Sequence, residues 1–100
     1  MNYRLILALS ANLAVWSLAL GACADCVDYA VAQQRLHGGV IEQVRIADGE
    51  EHAVLILADG HILDYRYPGF ALTRAQLERR GYVFERPMTW AEVTFHDYIR

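Results

Sequence analysis

Lysine is missing altogether from this sequence: its nine formal positive charges are all arginines. Cysteine and proline occur only twice each. Two cysteines cannot build the disulfide framework of a small secreted toxin. No repeat, low-complexity run or Pro/Ser-rich linker divides the chain, and 100 residues allow one domain at most. An excess of positive charge is lacking too. The net charge of −3 and pI near 5.7 give no electrostatic basis for binding nucleic acid. Metal-ligand spacing is absent as well. His37, His61 and His96 fall at a helix end, a turn and the tail, and zinc needs four ligands or three and a water. Asp48-Gly49 and Asp59-Gly60 read as turns, since no run of alternating acidic ligands accompanies them as a calcium loop requires. No metal or cofactor is expected. What is present is apolar: 55% of the residues are hydrophobic and 21% charged, enough to bury a core.

Charge is scarcest at the start. Residues 1–24 carry one formal side-chain charge, Arg4. "MNYR" is weakly basic, "LILALSANLAVWSLAL" is apolar, and "GACA" ends the segment in small residues, the three-part layout of a secretory signal peptide. Leu20-Gly21-Ala22-Cys23 also resembles a bacterial lipoprotein signal, in which Cys23 is acylated. The same run would serve as a buried first helix or an uncleaved anchor, since length separates these classes poorly. The signal readings imply an exported, periplasmic or membrane-anchored protein, with membrane association through residues 1–24. The buried-helix reading implies a cytoplasmic one. The oligomeric state is not legible.

Residues 25–100 read as a folded domain. Asp25 suits a helix cap and Asp28 the first turn, and a helix from Cys26 to about Leu36 stops at Gly38-Gly39. Val27, Ala30, Val31 and Gln34 share its buried face. "VIEQVRI" alternates and is β-branched, and predicts a strand. "HAVLIL" and "HILDYRY" predict two more, each after a turn, with Pro68-Gly69 ending the third. Thr73 and Gln76 form a capping-box pattern for a short helix that Gly81 ends. "YVFE" reads as a further strand stopped by Pro87. In "MTWAEVTFHDYIR", Thr89 and Glu92 suggest a second capping box, while the alternation fits a strand nearly as well. Trp90, Tyr65, Tyr67 and Tyr82 could line a cleft, but read better as core or sheet-surface residues. The order gives an α+β fold, a helix packed on a small antiparallel sheet.

Hairpin geometry joins two polar residues. "LADGH" suits a three-residue loop, with Gly60 left-handed as a G1 bulge. Leu57 then pairs with His61 and Val54 with Asp64, which puts His52 and Asp64 on one face as diagonal neighbours. A two-residue loop would send Asp64 to the other face. An aspartate between "IL" and "Y" is unusual for a strand, and a buried carboxylate needs a partner. The helix start, meanwhile, is where a cysteine is useful, because the positive end of the helix dipole lowers a thiol pKa. A nucleophile at Cys26, a base at His52 and an orienting carboxylate at Asp64 make a catalytic set.

"DCVDYA", followed by "EEHAVLIL" and "ILDY", resembles the bacterial transglutaminase-like cysteine peptidases of the papain-like superfamily. The likeness covers roughly residues 21–66. Ala24 stands where the family often has glycine, and Val27 where it often has glutamate. The resemblance implies a papain-like core. It also implies a Cys26 nucleophile, a His52 base and an Asp64 partner, acting on an amide or peptide bond of a peptide or protein substrate. Two other readings stay open: a catalytically inactive transglutaminase-like interaction module, and a redox protein using Cys23 and Cys26.

Overall fold

The computed structural model describes residues 24–99, with side chains over 25–94. The apolar segment read as a signal or first helix lies outside the described residues, apart from its last position, Ala24. Helix α1, Ala24–His37, opens the fold. It begins two residues ahead of the expected Cys26, so Asp25 sits inside the first turn, where its charge still complements the dipole. Gly38, at φ 74°, ends it, and the Gly38 amide donates to the Gln34 carbonyl at 2.8 Å.

Strands β1, Val40–Arg45, and β2, Glu51–Ile56, form an antiparallel pair in which Val44 faces His52 and Ile41 faces Leu55. Strand β3 is only Ile62–Leu63. Helix α2, Arg74–Arg79, strand β4, Val83–Pro87, and helix α3, Trp90–Ile99, complete the chain. The sheet order is β3-β2-β1-β4, antiparallel throughout. The protein is therefore an α+β fold, helices packed on a small four-stranded antiparallel sheet.

Both capping boxes form. Thr73 Oγ1 accepts from the Gln76 amide at 3.1 Å while Gln76 Oε1 accepts from the Thr73 amide at 2.8 Å. Thr89 and Glu92 reciprocate in the same way at 3.1 and 2.8 Å, and the ambiguous tail is a helix. The third strand is shorter than the sequence suggests. After Leu63 the chain turns at once, with the Tyr67 amide donating to the Asp64 carbonyl at 2.9 Å and the Arg66 amide to Asp64 Oδ1 at 2.9 Å. An aspartate that binds the backbone two residues on is a turn former, and here that preference overrides the β-favouring "YRY" after it.

Alternation along β1 and β2 builds two apolar layers. Ile41, Ala53 and Leu55 face α1 and pack with Cys26, Val27 and Ala30 of that helix and Val93 of α3. Val44, Val54 and Ile62 face the other way, packing with Ile46, Leu77 of α2 and Tyr82. Helix α1 lies mainly against β2.

Candidate active site

The site is built on the β2–β3 hairpin. Its loop has the expected three residues. The Leu57 amide donates to the His61 carbonyl at 2.8 Å, the Gly60 amide to the Leu57 carbonyl at 2.9 Å, and Gly60 takes φ 92°. Leu55 then pairs with Leu63 and Ile56 with Ile62. That register carries His52, Val54 and Asp64 to the same face, the one away from α1. His61, by contrast, is a turn residue, exposed and held by Asp59 at 3.1 Å.

His52 and Asp64 meet. His52 Nε2 lies 2.6 Å from Asp64 Oδ1, with the residues 2% and 0% exposed. An ionised carboxylate only accepts, so Nε2 carries a proton, and in the neutral imidazole the lone pair is then on Nδ1. The carboxylate has two further donors: the Arg66 amide on Oδ1, and the Tyr82 hydroxyl on Oδ2 at 2.5 Å. Burial pushes the Asp64 pKa up. The His52 hydrogen bond and charge, the Tyr82 hydroxyl and the Arg66 amide together outweigh it and hold the group below its ordinary value. The opposite happens at Tyr82, whose pKa is raised by burial first, then by the hydrogen bond to Asp64 and its charge. The ring of Tyr82 also stands edge-on to the His52 imidazole, centroids 5.9 Å apart. The pair is buried, and both oxygens of the carboxylate have donors.

Tyr82, expected in the core or on the sheet surface, has a further role. It is buried as expected, but its hydroxyl, 18 residues from Asp64, is the third corner of the polar cluster. The one signal pointing to it was indirect. A buried carboxylate has two oxygens to satisfy, and a single histidine serves one.

Cys26 is buried in the first turn of α1, in the same apolar cluster as Ala53, the neighbour of His52 in β2. It belongs to the α1 side of the sheet, whereas the side chain of His52 follows the opposite face. Its sulfur is disulfide-bonded, and no cysteine among the described residues is free. The expectation of a standing thiol at Cys26 is thus revised: the thiol exists only after reduction. The sequence has one other cysteine, Cys23, which lies outside the described residues. Among the described residues, no group of His, Cys, Asp and Glu could hold a metal ion, and no helix is long and apolar enough to cross a membrane. No protein-family model, curated protein or solved structure matches the chain.

Proposed function

We propose that this protein is a thiol hydrolase of transglutaminase-like, papain-superfamily type, cleaving an amide or peptide bond in a peptide or protein substrate. Cys26 is the nucleophile, His52 the base and Asp64 the carboxylate that orients it. The observation that carries the reading is the buried 2.6 Å bond between His52 Nε2 and Asp64 Oδ1. Strands disfavour aspartate, and a buried carboxylate is costly to fold around unless it is hydrogen-bonded. Fixing an imidazole in one tautomer gives the pair a purpose. The position of Cys26 in the first turn of α1 supports the same reading, since the helix dipole favours a thiolate there.

The chemistry begins with reduction. An external dithiol exchanges with the Cys26 disulfide, is itself oxidised to a disulfide, and leaves the Cys26 thiol. The reading requires the freed Cys26 side chain to come within reach of His52 Nδ1, which takes the thiol proton, and the thiolate forms a bond to the substrate carbonyl carbon. The oxyanion is stabilised by backbone N–H groups at the helix start. The C–N bond breaks, the amine leaves with the proton from His52, and a thioester remains. Water, deprotonated by His52, then releases the acid and regenerates the thiol. A disulfide fits an oxidising compartment, and so an exported protein in which residues 1–24 act as the signal or membrane tether.

The disulfide at Cys26 also favours a second reading, a dithiol–disulfide exchanger using Cys23 and Cys26. One experiment divides the two. The reduced protein is treated with a peptide electrophile, and adducts at Cys23 and Cys26 are separated by peptide mass. The hydrolase predicts rapid labelling of Cys26 that is slowed markedly by His52→Ala. An exchanger predicts labelling indifferent to His52. That indifference, with no turnover of peptide or glutamine-amide reporters, would leave a non-catalytic interaction module or a redox protein.

A further inference from the structure

The covalent geometry of an aspartate does not choose which of its oxygens meets a partner. The terminal torsion is broad and roughly two-fold, so the donors around the carboxylate make the choice. At Asp64, Oδ1 takes His52 Nε2–H at 2.6 Å and the Arg66 amide at 2.9 Å, and Oδ2 takes the Tyr82 hydroxyl at 2.5 Å. Arg66 is two residues away and moves with the turn. Tyr82 lies in the connection between α2 and β4 and is anchored separately.

That anchor is well built. The Tyr82 amide donates to the Leu77 carbonyl at 3.1 Å at the end of α2, and the residue packs with Val44, Val54, Ile62 and Leu77. Gly81 before it takes φ 93°, and a Cβ there would come within 2.8 Å of the Ala47 Cβ. The chain thus passes close to the β1–β2 turn through a left-handed glycine and delivers Tyr82 to the hairpin with little latitude. Its ring, at 84° to the imidazole, closes the side of His52 as well.

We propose that Tyr82 is a positioning residue for the hydrolase reaction, locking the Asp64 carboxylate through Oδ2 so that Oδ1 holds His52 in the Nε2–H tautomer with Nδ1 as the base. The proposal rests on the reading of Cys26, His52 and Asp64 as the catalytic set. Without the hydroxyl, Oδ2 is buried with its donor gone, and the carboxylate is free to rotate toward other donors. His52 then loses its single partner geometry. A tyrosine serving only to fill the core would act through its ring, which phenylalanine keeps.

The test uses the full-length protein, reduced with a dithiol that is then removed. The rate of iodoacetamide alkylation at Cys26, read by peptide mass, is compared in the wild type, Tyr82→Phe and His52→Ala, and the ring nitrogens of His52 are read by 15N NMR at mildly alkaline pH. Tyr82→Phe should slow alkylation roughly tenfold, the kinetic equivalent of one lost hydrogen bond to a charged group. Its His52 spectrum should change from one tautomer to a mixture. If His52→Ala slows alkylation but Tyr82→Phe leaves both rate and tautomer unchanged, the hydrolase reading stands and the role of Tyr82 is overturned. Alkylation indifferent to His52→Ala overturns both. Should Tyr82→Phe fail to fold, 3-fluorotyrosine at position 82 keeps the shape while strengthening the donor. The weakened carboxylate should then shift the His52 Nε2 proton resonance, and an unmoved resonance would refute the inference.

Discussion

At the scale of single residues, Asp64 is the one whose chemistry cannot be exchanged. It is 0% exposed and surrounded by donors only: an imidazole N–H, a backbone N–H and a phenol O–H. Asn at this position keeps the shape but brings one oxygen and an NH2 group. With the amide nitrogen toward His52, two donors face each other, unless the imidazole moves its proton to Nδ1 and accepts at Nε2. That tautomer has no lone pair at Nδ1 for the proton transfer that the proposed hydrolase requires. Asp64→Asn should therefore fold, lose about 1.5–3 kcal/mol in denaturant unfolding through the charged hydrogen bonds it forfeits, and fall in turnover by roughly 10^4 as tautomer control fails. A variant that loses stability alone, with Cys26 labelling at the wild-type rate, would mean that Asp64 is structural.

At the scale of elements, the hairpin is the part on which the site depends. The left-handed Gly60 has nothing within 4 Å of the place where a Cβ would sit, so Gly60→Ala meets backbone strain without a clash. It should cost about 1 kcal/mol and leave the site intact, as read by thermal unfolding and Cys26 labelling. Deleting Asp59 shortens the loop to two residues but leaves Leu57 opposite His61, so Asp64 keeps its face. The variant should lose the Asp59–His61 bonds and some stability in thermal unfolding while keeping the His52 tautomer signal, and a folded variant without that signal would refute the assigned register. Local chemistry explains why so much of this was legible beforehand. A glycine spacing gives the loop, Thr-x-x-Gln and Thr-x-x-Glu give the caps, and alternation in "EHAVLI" gives the faces. What escaped was long-range. The docking of β4 on β1, with a bulge between Gln43 and Val44, brings Tyr82 to Asp64, and no local pattern encodes that approach. The early end of β3 escaped because one Asx turn outweighed two β-favouring tyrosines. The oxidised state of Cys26 was legible only as the alternative redox reading of Cys23 and Cys26, because a cysteine pair carries no mark of its oxidation state.

At the scale of the whole molecule, the ionisable groups set the pH range in which the fold holds. Asp64 has a folded pKa below its unfolded value, so the folded protein takes up its proton less readily than the unfolded chain. Its contribution to stability is present in full above the unfolded pKa, about 3.9, and is lost as the pH falls through the lower folded value. Glu92 follows the same rule. Hydrogen bonds from Arg86 and the Thr89 amide, against a smaller effect of burial, pull it down to about 2. The two differ in setting, however. The Arg86–Glu92 pair, at 2.6 Å, has side chains 47% and 34% exposed, whereas Asp64 is sealed. Salt at about 1 M shortens the screening length to roughly 3 Å and weakens the exposed pair far more than the buried one. Tyr82 works at the other end. Its raised pKa means that its contribution is complete below about 10 and lost as the pH rises through the higher folded value. Denaturation midpoints measured across pH should therefore fall at both ends. High salt should shrink the acid fall only in part, Asp64→Asn should remove the salt-resistant remainder, and Tyr82→Phe should flatten the alkaline fall. An acid fall that salt abolishes entirely would show that the charge of Asp64 adds nothing to the stability of the fold.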